Sequence, residues 1–395
     1  MALADTSLQV AITDHLSSWG LRRFESDDAY FQWQRQALSA QELSDLRRSV
    51  EAKRGGAPAD EVAFYDLTAN PRILTVLYSQ RYEYYTEIGS RVASRIRGAK
   101  TILDFGCGVG ILTTFYAKQF PDRVFVGLDR SAASIARAKE SAMASGLKNV
   151  RFECLDVTGE SIHGMYDLIV ATHALVQAEQ DPGMPSRDWT TFERAHDRVR
   201  QQTFEERTGI GLRLDRLSEA LAPQGRMIVF EKTRQLARRV PFQRALAARG
   251  FSLIEQPEPI RYLLVEEVAE DGPFYLLQKG GQGAMGWEES PERDEGRPCD
   301  PATWTTAHGG SDEPLYENHY PSAQQAWQNL TQRSIKKETT RTEPDGRQMH
   351  VELGRATEGL YLYCANTFDQ RQLVVVEPAG VAMLETYYQE IVTGG

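Results

Sequence analysis

Apolar residues recur at three- and four-residue spacing through residues 27–38, 39–54 and 70–96, which predicts that the first 97 residues are mainly helical. The second of these stretches opens on Ser39 with Glu42 three positions later, a capping-box pattern, and Gly55, Gly56 and Pro58 then break the run. From residue 98 the period changes. Short β-branched or apolar runs, TILDF (101–105), RVFVGLD (123–129), VRFECLD (150–156) and YDLIVAT (166–172), alternate with helical patterns, one of which opens on Ser131 and stops at Gly146. Helix 212–223, strand 225–233, helix 238–250 and two strands near 253–260 and 273–280 complete the pattern. Such alternation predicts an α/β fold, a doubly wound parallel sheet with helices on both faces and final strands free to return antiparallel.

Residues 281–313 are rich in Gly, Pro and acidic side chains and read as a linker. Beyond it, residues 314–395 show a helix at 322–332, strands at 335–342, 347–354, 359–366 and 370–378, and a closing helix at 381–392. That order predicts a small α+β domain, an antiparallel sheet with its helices on one face. The expected organisation is therefore a helical region at 1–97, an α/β domain at 98–280, the linker and the small domain.

Charge and cysteine content narrow the possibilities. The net charge is −10, and residues 281–395 carry 9 Lys+Arg against 18 Asp+Glu, which does not suit binding to duplex nucleic acid. Residues 194–249 run the other way, with 13 basic against 6 acidic side chains; solvated helix faces and attraction of an anionic substrate both account for this. No apolar run is long enough to span a membrane, and the N-terminus lacks the pattern of a secretion signal. Cys107, Cys154, Cys299 and Cys364 are widely separated, with no metal-ligand spacing, so reduced thiols in a cytoplasmic protein are expected.

The chemistry concentrates at Asp104-Phe-Gly106-Cys107-Gly108-Val-Gly110, between a strand and a helix. Glycines let this turn bring backbone close to a ligand, and the helix N-terminus offers unpaired N–H groups. A dinucleotide fingerprint would need glycine at 111, where this chain has Ile111. Acidic Asp104 would repel a pyrophosphate but suits an ammonium group.

This D-x-G-C-G-x-G segment resembles motif I of the class I S-adenosylmethionine-dependent methyltransferases, and the resemblance extends over roughly residues 100–279. It implies a Rossmann-like core that binds S-adenosyl-L-methionine and releases S-adenosyl-L-homocysteine. By the same resemblance Asp129, ending the second strand, would hold the ribose hydroxyls, and Asp156, ending the third, the adenine amino group. Val157 and Leu155 beside Asp156, and Leu128 and Arg130 beside Asp129, would sandwich the ring. The fourth strand would bring Ala171, Thr172 and His173 to the acceptor side.

His173 is the candidate base or acceptor contact, with packing as its alternative; His163 and His196 read as surface histidines. Tyr82, Tyr84 and Tyr85 lie just before the α/β core and are expected either to line the pocket or to pack, with Tyr85 a catalytic candidate and Tyr82 a cofactor contact. Phe64, Tyr65 and Trp33 are weaker candidates of the same kind. The segment after the fourth strand lacks the (Asp/Asn)-Pro-Pro-(Tyr/Phe) of adenine methylases, and it supplies only Glu179 where arginine methylases need a glutamate pair. Residues 188–209 are expected to form an added helix over the cleft. The expected activity is methyl transfer to nitrogen or oxygen of a small-molecule metabolite. A protein or peptide methyltransferase with the C-terminal unit as docking module, and a non-catalytic cofactor-binding regulator, are the alternatives. Subunit contact in a homodimer, recognition of a substrate or carrier protein, and closure of the acceptor site remain open for that unit.

Overall fold

The computed structural model describes residues 2–54, 57–176, 181–281, 285–297, 300, 314–344 and 346–393. Helices α1 (Ala2–Ser18), α2 (Asp27–Ala37), α3 (Ala40–Arg54), α4 (Pro58–Thr68), α5 (Pro71–Ser79) and α6 (Tyr82–Arg95) precede the first strand. The capping box of α3 forms as its sequence predicts: the Ser39 amide donates to Glu42 Oε2 at 2.7 Å, and the Glu42 amide donates to Ser39 Oγ at 3.3 Å. The helix expected over residues 70–96 is instead two. Arg81 leaves the helical path (φ −100°, ψ 22°), and its guanidinium meets His173. Helices α1 and α4 were not evident from spacing, α1 because few of its positions, Ile12 and Leu16 among them, are deeply buried.

The central sheet has the strand order β3-β2-β1-β4-β5-β10-β6, built from β1 (Thr101–Phe105), β2 (Val124–Asp129), β3 (Val150–Cys154), β4 (Tyr166–Thr172), β5 (Leu221–Phe230), β6 (Phe251–Leu253) and β10 (Pro273–Lys279). Strands β1 to β5 pair in parallel, and β10 returns antiparallel to β5 and β6. Short strand β7 (Glu258–Pro259) pairs with β10, and β8 (Tyr262–Leu264) forms a hairpin with β9 (Glu267–Ala269). Helices α7 (Ile111–Gln119), α8 (Ala132–Ala144), α9 (Arg198–Thr208), α10 (Ile210–Ala220) and α11 (Leu236–Ala248) complete the α/β pattern.

Strand alternation divides the core in two. Ile102, Phe125, Leu168 and Ile228 pack with apolar residues of α1, α6 and α7. Leu103, Val126, Ile169 and Met227 face the other way, with Leu214 and Leu217 of α10 and Leu246 of α11. Strand order reverses between β1 and β4, so a crevice opens at their carboxyl ends, where open α/β sheets bind ligands.

Compact units do not follow the expected boundaries. The first comprises Met1–Asp181, Gln202–Arg234 and Phe242–Trp287, so the N-terminal helices belong with the α/β core. The second comprises Pro182–Gln201, Gln235–Pro241 and Glu288–Gly395. Part of the expected linker is thus built into the second unit: Tyr316 donates to the Arg297 carbonyl at 2.7 Å, and Asp294 accepts from the Ser322 amide at 2.8 Å. Residues 301–313, and Cys299, lie outside the described residues; Cys107, Cys154 and Cys364 are free thiols.

In the second unit, β11 (Tyr316–Asn318), β12 (Ser334–Thr342), β13 (Gln348–Ala356), β14 (Gly359–Asn366) and β15 (Arg371–Val376) form an antiparallel sheet ordered β11-β15-β14-β13-β12. Its helices were expected on one face and lie on both. Tyr361 and Tyr363 pack with Ala323 and Ala326 of α12 (Ala323–Asn329), whereas Leu360 and Leu362 pack with Leu384 and Tyr388 of α13 (Val381–Thr393). Successive residues of β14 are apolar on either face, so each face needs a cover. Among the described residues no helix is long and apolar enough to cross a membrane.

Candidate active site

The turn after β1 takes its shape from its glycines. Gly106, Gly108 and Gly110 have φ of 73°, 54° and 80°, a region that side chains disfavour. A Cβ on Gly106 would come within 2.4 Å of Ala174 Cβ, and one on Gly110 within 2.9 Å of Ala138 Cβ. At Gly108 nothing lies within 4 Å of that position, so backbone there faces open space. The amides of Gly106 and Cys107 donate to the Leu128 carbonyl at 2.8 and 3.0 Å, tying the turn to the end of β2.

Asp129, the last residue of β2, accepts the Gly108 amide on one carboxylate oxygen (2.9 Å) and the Ser131 amide on the other (2.8 Å). Burial raises its pKa, opposed by these two amides. Asp104 is 5% exposed and accepts the Thr113 hydroxyl at 2.5 Å. Burial pushes its carboxyl up to about 6, the Thr113 hydrogen bond opposing, and no cation among the described residues pairs with it. Asp156 is exposed; despite some desolvation, the amide and hydroxyl of Thr158 hold it below the usual carboxylate range.

These groups share one cleft of about 1160 Å³, counted out to solvent. It is lined from the sheet side by Asp104, Gly106, Cys107, Gly108, Leu128, Asp129, Arg130, Leu155, Asp156, Val157 and His173. From the N-terminal helices it is lined by Glu61, Tyr65, Tyr78, Arg81, Tyr84 and Tyr85. Helix α4 is fastened to the turn between β2 and α8: Glu61 pairs with Arg130, and Asp66 accepts the Ser131 hydroxyl at 2.6 Å.

Three expected contacts lie elsewhere. Ala171 is buried in the sheet core facing α10, because alternation along β4 turns it from the cleft. Tyr82 lines a separate groove with Arg23 and Leu263, one residue and so about 100° of helix on from Arg81, which shares the cleft face with Tyr85. Gly110 packs under the turn against α8 and Phe152 instead of lining the cleft. His163 and His196 are exposed and line no part of it. Phe64 and Trp33 belong to a separate apolar cluster under α2 to α5. The helix expected within residues 188–209 forms as α9 (Arg198–Thr208), and its residues 202–208, in the same compact unit as the cleft, do not line it; Glu179 lies outside the described residues.

His173 has a left-handed backbone (φ 53°), unusual for a residue with a side chain. Its amide donates to the Phe230 carbonyl at 2.8 Å, and its ring stacks on Tyr84 with centroids 5.0 Å apart. Nδ1 lies 2.7 Å from an Arg81 guanidinium nitrogen. Nε2 lies 3.1 Å from Asp271 Oδ2, off the axis of a well-aligned hydrogen bond. Burial lowers the His173 pKa to about 4, against the pull of Asp271. Asp271, though buried, is held well below the usual carboxylate range by His173 and Tyr262. A neutral ring with Nδ1 held by Arg81 and Nε2 turned to Asp271 is poorly placed to take a proton from an acceptor.

Sequence reasoning did not single out Arg81, Glu231 or Arg213. Glu231 is 1% exposed and accepts the amides of Ala174 (2.7 Å) and Leu175 (2.6 Å), fixing the loop after β4. Burial raises its carboxyl to about 7. Arg213 donates to the Leu175 carbonyl at 2.7 Å and braces the same loop.

Residues 96–246 match the family model described as a methyltransferase domain. That stretch is a methyltransferase domain of the S-adenosylmethionine-dependent kind. The methyltransferase domain is similar to the trans-aconitate 2-methyltransferase of Deinococcus radiodurans, 36% identical over 88 residues, which are 22% of this chain and 32% of that protein. It is also similar to the tRNA (guanine-N(7)-)-methyltransferase of Rubrobacter xylanophilus, 30% identical over 127 residues, or 32% of this chain and 48% of that one. The chain thus spans about a third to a half of the length of these relatives. Among solved structures, the magnesium protoporphyrin IX methyltransferase of Synechocystis with bound S-adenosylmethionine aligns at 15% identity and a TM-score of 0.35, over 52% of this chain and 81% of that one.

Proposed function

We propose that this methyltransferase moves a methyl group from S-adenosylmethionine to nitrogen or oxygen of a small-molecule acceptor. The observation that carries the reading is the convergence of Asp104, the Gly106–Gly108 turn, Asp129 and Asp156 from three strand ends on one cleft. These residues fit the donor. Asp104 is a buried carboxylate that lacks a cation, which the donor's ammonium would supply. Each Asp129 oxygen keeps a lone pair for a ribose hydroxyl beyond its bond to an amide. Asp156 would meet the adenine amino group, with Leu155, Val157 and Leu128 around the ring. The bound sulfonium supplies an electrophilic methyl group.

The protein's own part is positioning. Glu231 and Arg213 fix the loop that carries Ala174 and Leu175, and the tyrosines of α5 and α6 exclude water from the opposite wall. His173 holds Arg81 and is assigned a positioning role; Tyr85, with its pKa raised well above the ordinary value by burial, is a hydrogen-bond donor. A cleft walled by N-terminal helices, on a chain of net charge −10, favours a small acceptor over nucleic acid.

Calorimetry with S-adenosylhomocysteine tests the donor half. Asp129→Ala should weaken binding at least about tenfold, the equivalent of one lost charge-assisted hydrogen bond, and Glu288→Ala should leave it unchanged. Folded protein that binds no S-adenosylhomocysteine would sink the reading. A product 14 mass units heavier, formed from small metabolites, would separate it from a peptide methyltransferase and from a binding protein without turnover.

A further inference from the structure

Among the cations lining the cleft, Arg130 is matched by Glu61 and Arg213 is spent on the Leu175 and Thr208 carbonyls. Arg81 has no carboxylate within salt-bridge distance among the described residues. Its side-chain partners are the neutral His173 ring and the face of Tyr84, whose centroid lies 4.4 Å from the guanidinium carbon. A guanidinium sunk in a fold without a counter-charge is costly, and Arg presents five N–H groups in a rigid fork. Asp271 beside Nε2 favours the His173 tautomer whose Nδ1 accepts one of them. The rest of the fork belongs to a side chain that lines the cleft. Four residues on, along the same face of α6, Tyr85 also lines the cleft, and its hydroxyl makes no hydrogen bond among the described residues.

We propose that Arg81 and Tyr85 form a carboxylate-binding subsite for the acceptor, and that the methylated atom is an oxygen of that carboxylate. Two observations support an anionic acceptor there, and the affinity measurement below separates it from the donor's own carboxylate. Arg81 is anchored to the loop after β4, on the far side of β1 from Asp129 and β2. Every carboxylate and imidazole described in the cleft already accepts hydrogen bonds or pairs with an arginine, so an acceptor that arrives deprotonated suits a site without a free base. The carboxylate oxygen bonds to the methyl carbon as the carbon–sulfur bond breaks and its electron pair stays on sulfur. Anion and sulfonium cancel, and no proton is released.

This inference rests on the methyltransferase reading above, and its test distinguishes the two. Unmodified protein is incubated with methyl-labelled S-adenosylmethionine and a small-metabolite extract of the organism that encodes it, and the product is treated with mild alkali. The expected result is release of the label as volatile methanol, the behaviour of a methyl ester. Label retained in alkali-stable product overturns the carboxylate proposal and leaves methyl transfer standing. No label from protein that binds S-adenosylhomocysteine overturns the small-acceptor reading beneath it. In parallel, Arg81→Met should lower labelled-ester formation at least about tenfold, while S-adenosylhomocysteine affinity stays within about threefold of unmodified protein. A tenfold loss of that affinity, with 5′-methylthioadenosine binding intact, would assign Arg81 to the donor's carboxylate and overturn the proposal. If Arg81→Met does not fold, Arg81→Lys keeps the charge without the fork and is read by the same two measurements.

Discussion

Asp104 keeps a carboxyl group in a place where ionisation is opposed. Raised from an ordinary value of 3.8 to about 6, at about 1.4 kcal/mol per pH unit, it costs the ligand-free fold about 3 kcal/mol at neutral pH. The folded pKa lies above the unfolded one, so this cost is complete above about pH 6 and absent below 3.8. Asp104→Asn should therefore melt several degrees higher at pH 7.5, with little difference at pH 4, while losing most of its affinity for S-adenosylhomocysteine. A variant that melts lower at pH 7.5 would refute this account. Asp104, Asp129 and Asp156 were legible because each stands at or just past the end of its own strand, so local pattern announces it. Arg81 was not, since its partner His173 lies 92 positions away. The same geometry explains Tyr82 and Ala171: a face of helix or strand is fixed only once its neighbours are known.

At the scale of elements, the chain's alternation placed β1 to β4 to within two residues but started β5 four residues late, giving its first residues to α10, and the N-terminal helices were read less well. Their apolar positions are divided between the sheet, one another and the cleft, so no single stripe marks them. Helix α4 is tied to the start of α8, where Asp66 accepts the Ser131 hydroxyl at 2.6 Å and the Ala133 amide at 3.3 Å. Asp66→Ala should speed amide hydrogen exchange in α4 about fivefold, the equivalent of one lost cap, and loosen S-adenosylhomocysteine to a similar degree. Unchanged exchange would mean that Glu61 and Arg130 alone hold the helix. Failure of the single long helix at residues 70–96 has a functional counterpart, because the break places Arg81 at the cleft.

For the whole molecule, composition suggested a clean cut near residue 281, which the fold does not honour. Arg194, with a fully buried side chain, pairs with Asp369, and buried Arg371 donates to the Thr191 carbonyl at 3.2 Å. Removing everything after Trp287 would strip Arg194 of its counter-ion, at a cost of about 3–5 kcal/mol for breaking a buried pair. The fragment is expected to be poorly soluble or to unfold without a cooperative transition; a soluble fragment with full S-adenosylhomocysteine affinity would refute this. Sequence could not reveal such interleaving, since residues 182–201 carry no local mark of the distant strands they join. The interleaving also sets an order of events during translation. Arg194 leaves the ribosome 175 residues ahead of Asp369, so the first unit's chain is complete while the second still waits for its sheet. Until that sheet is made, the segment around Arg194 lacks the partners of Trp189 and Phe192, and these uncovered aromatic side chains make it a natural place for chaperones and proteases to inspect the nascent protein.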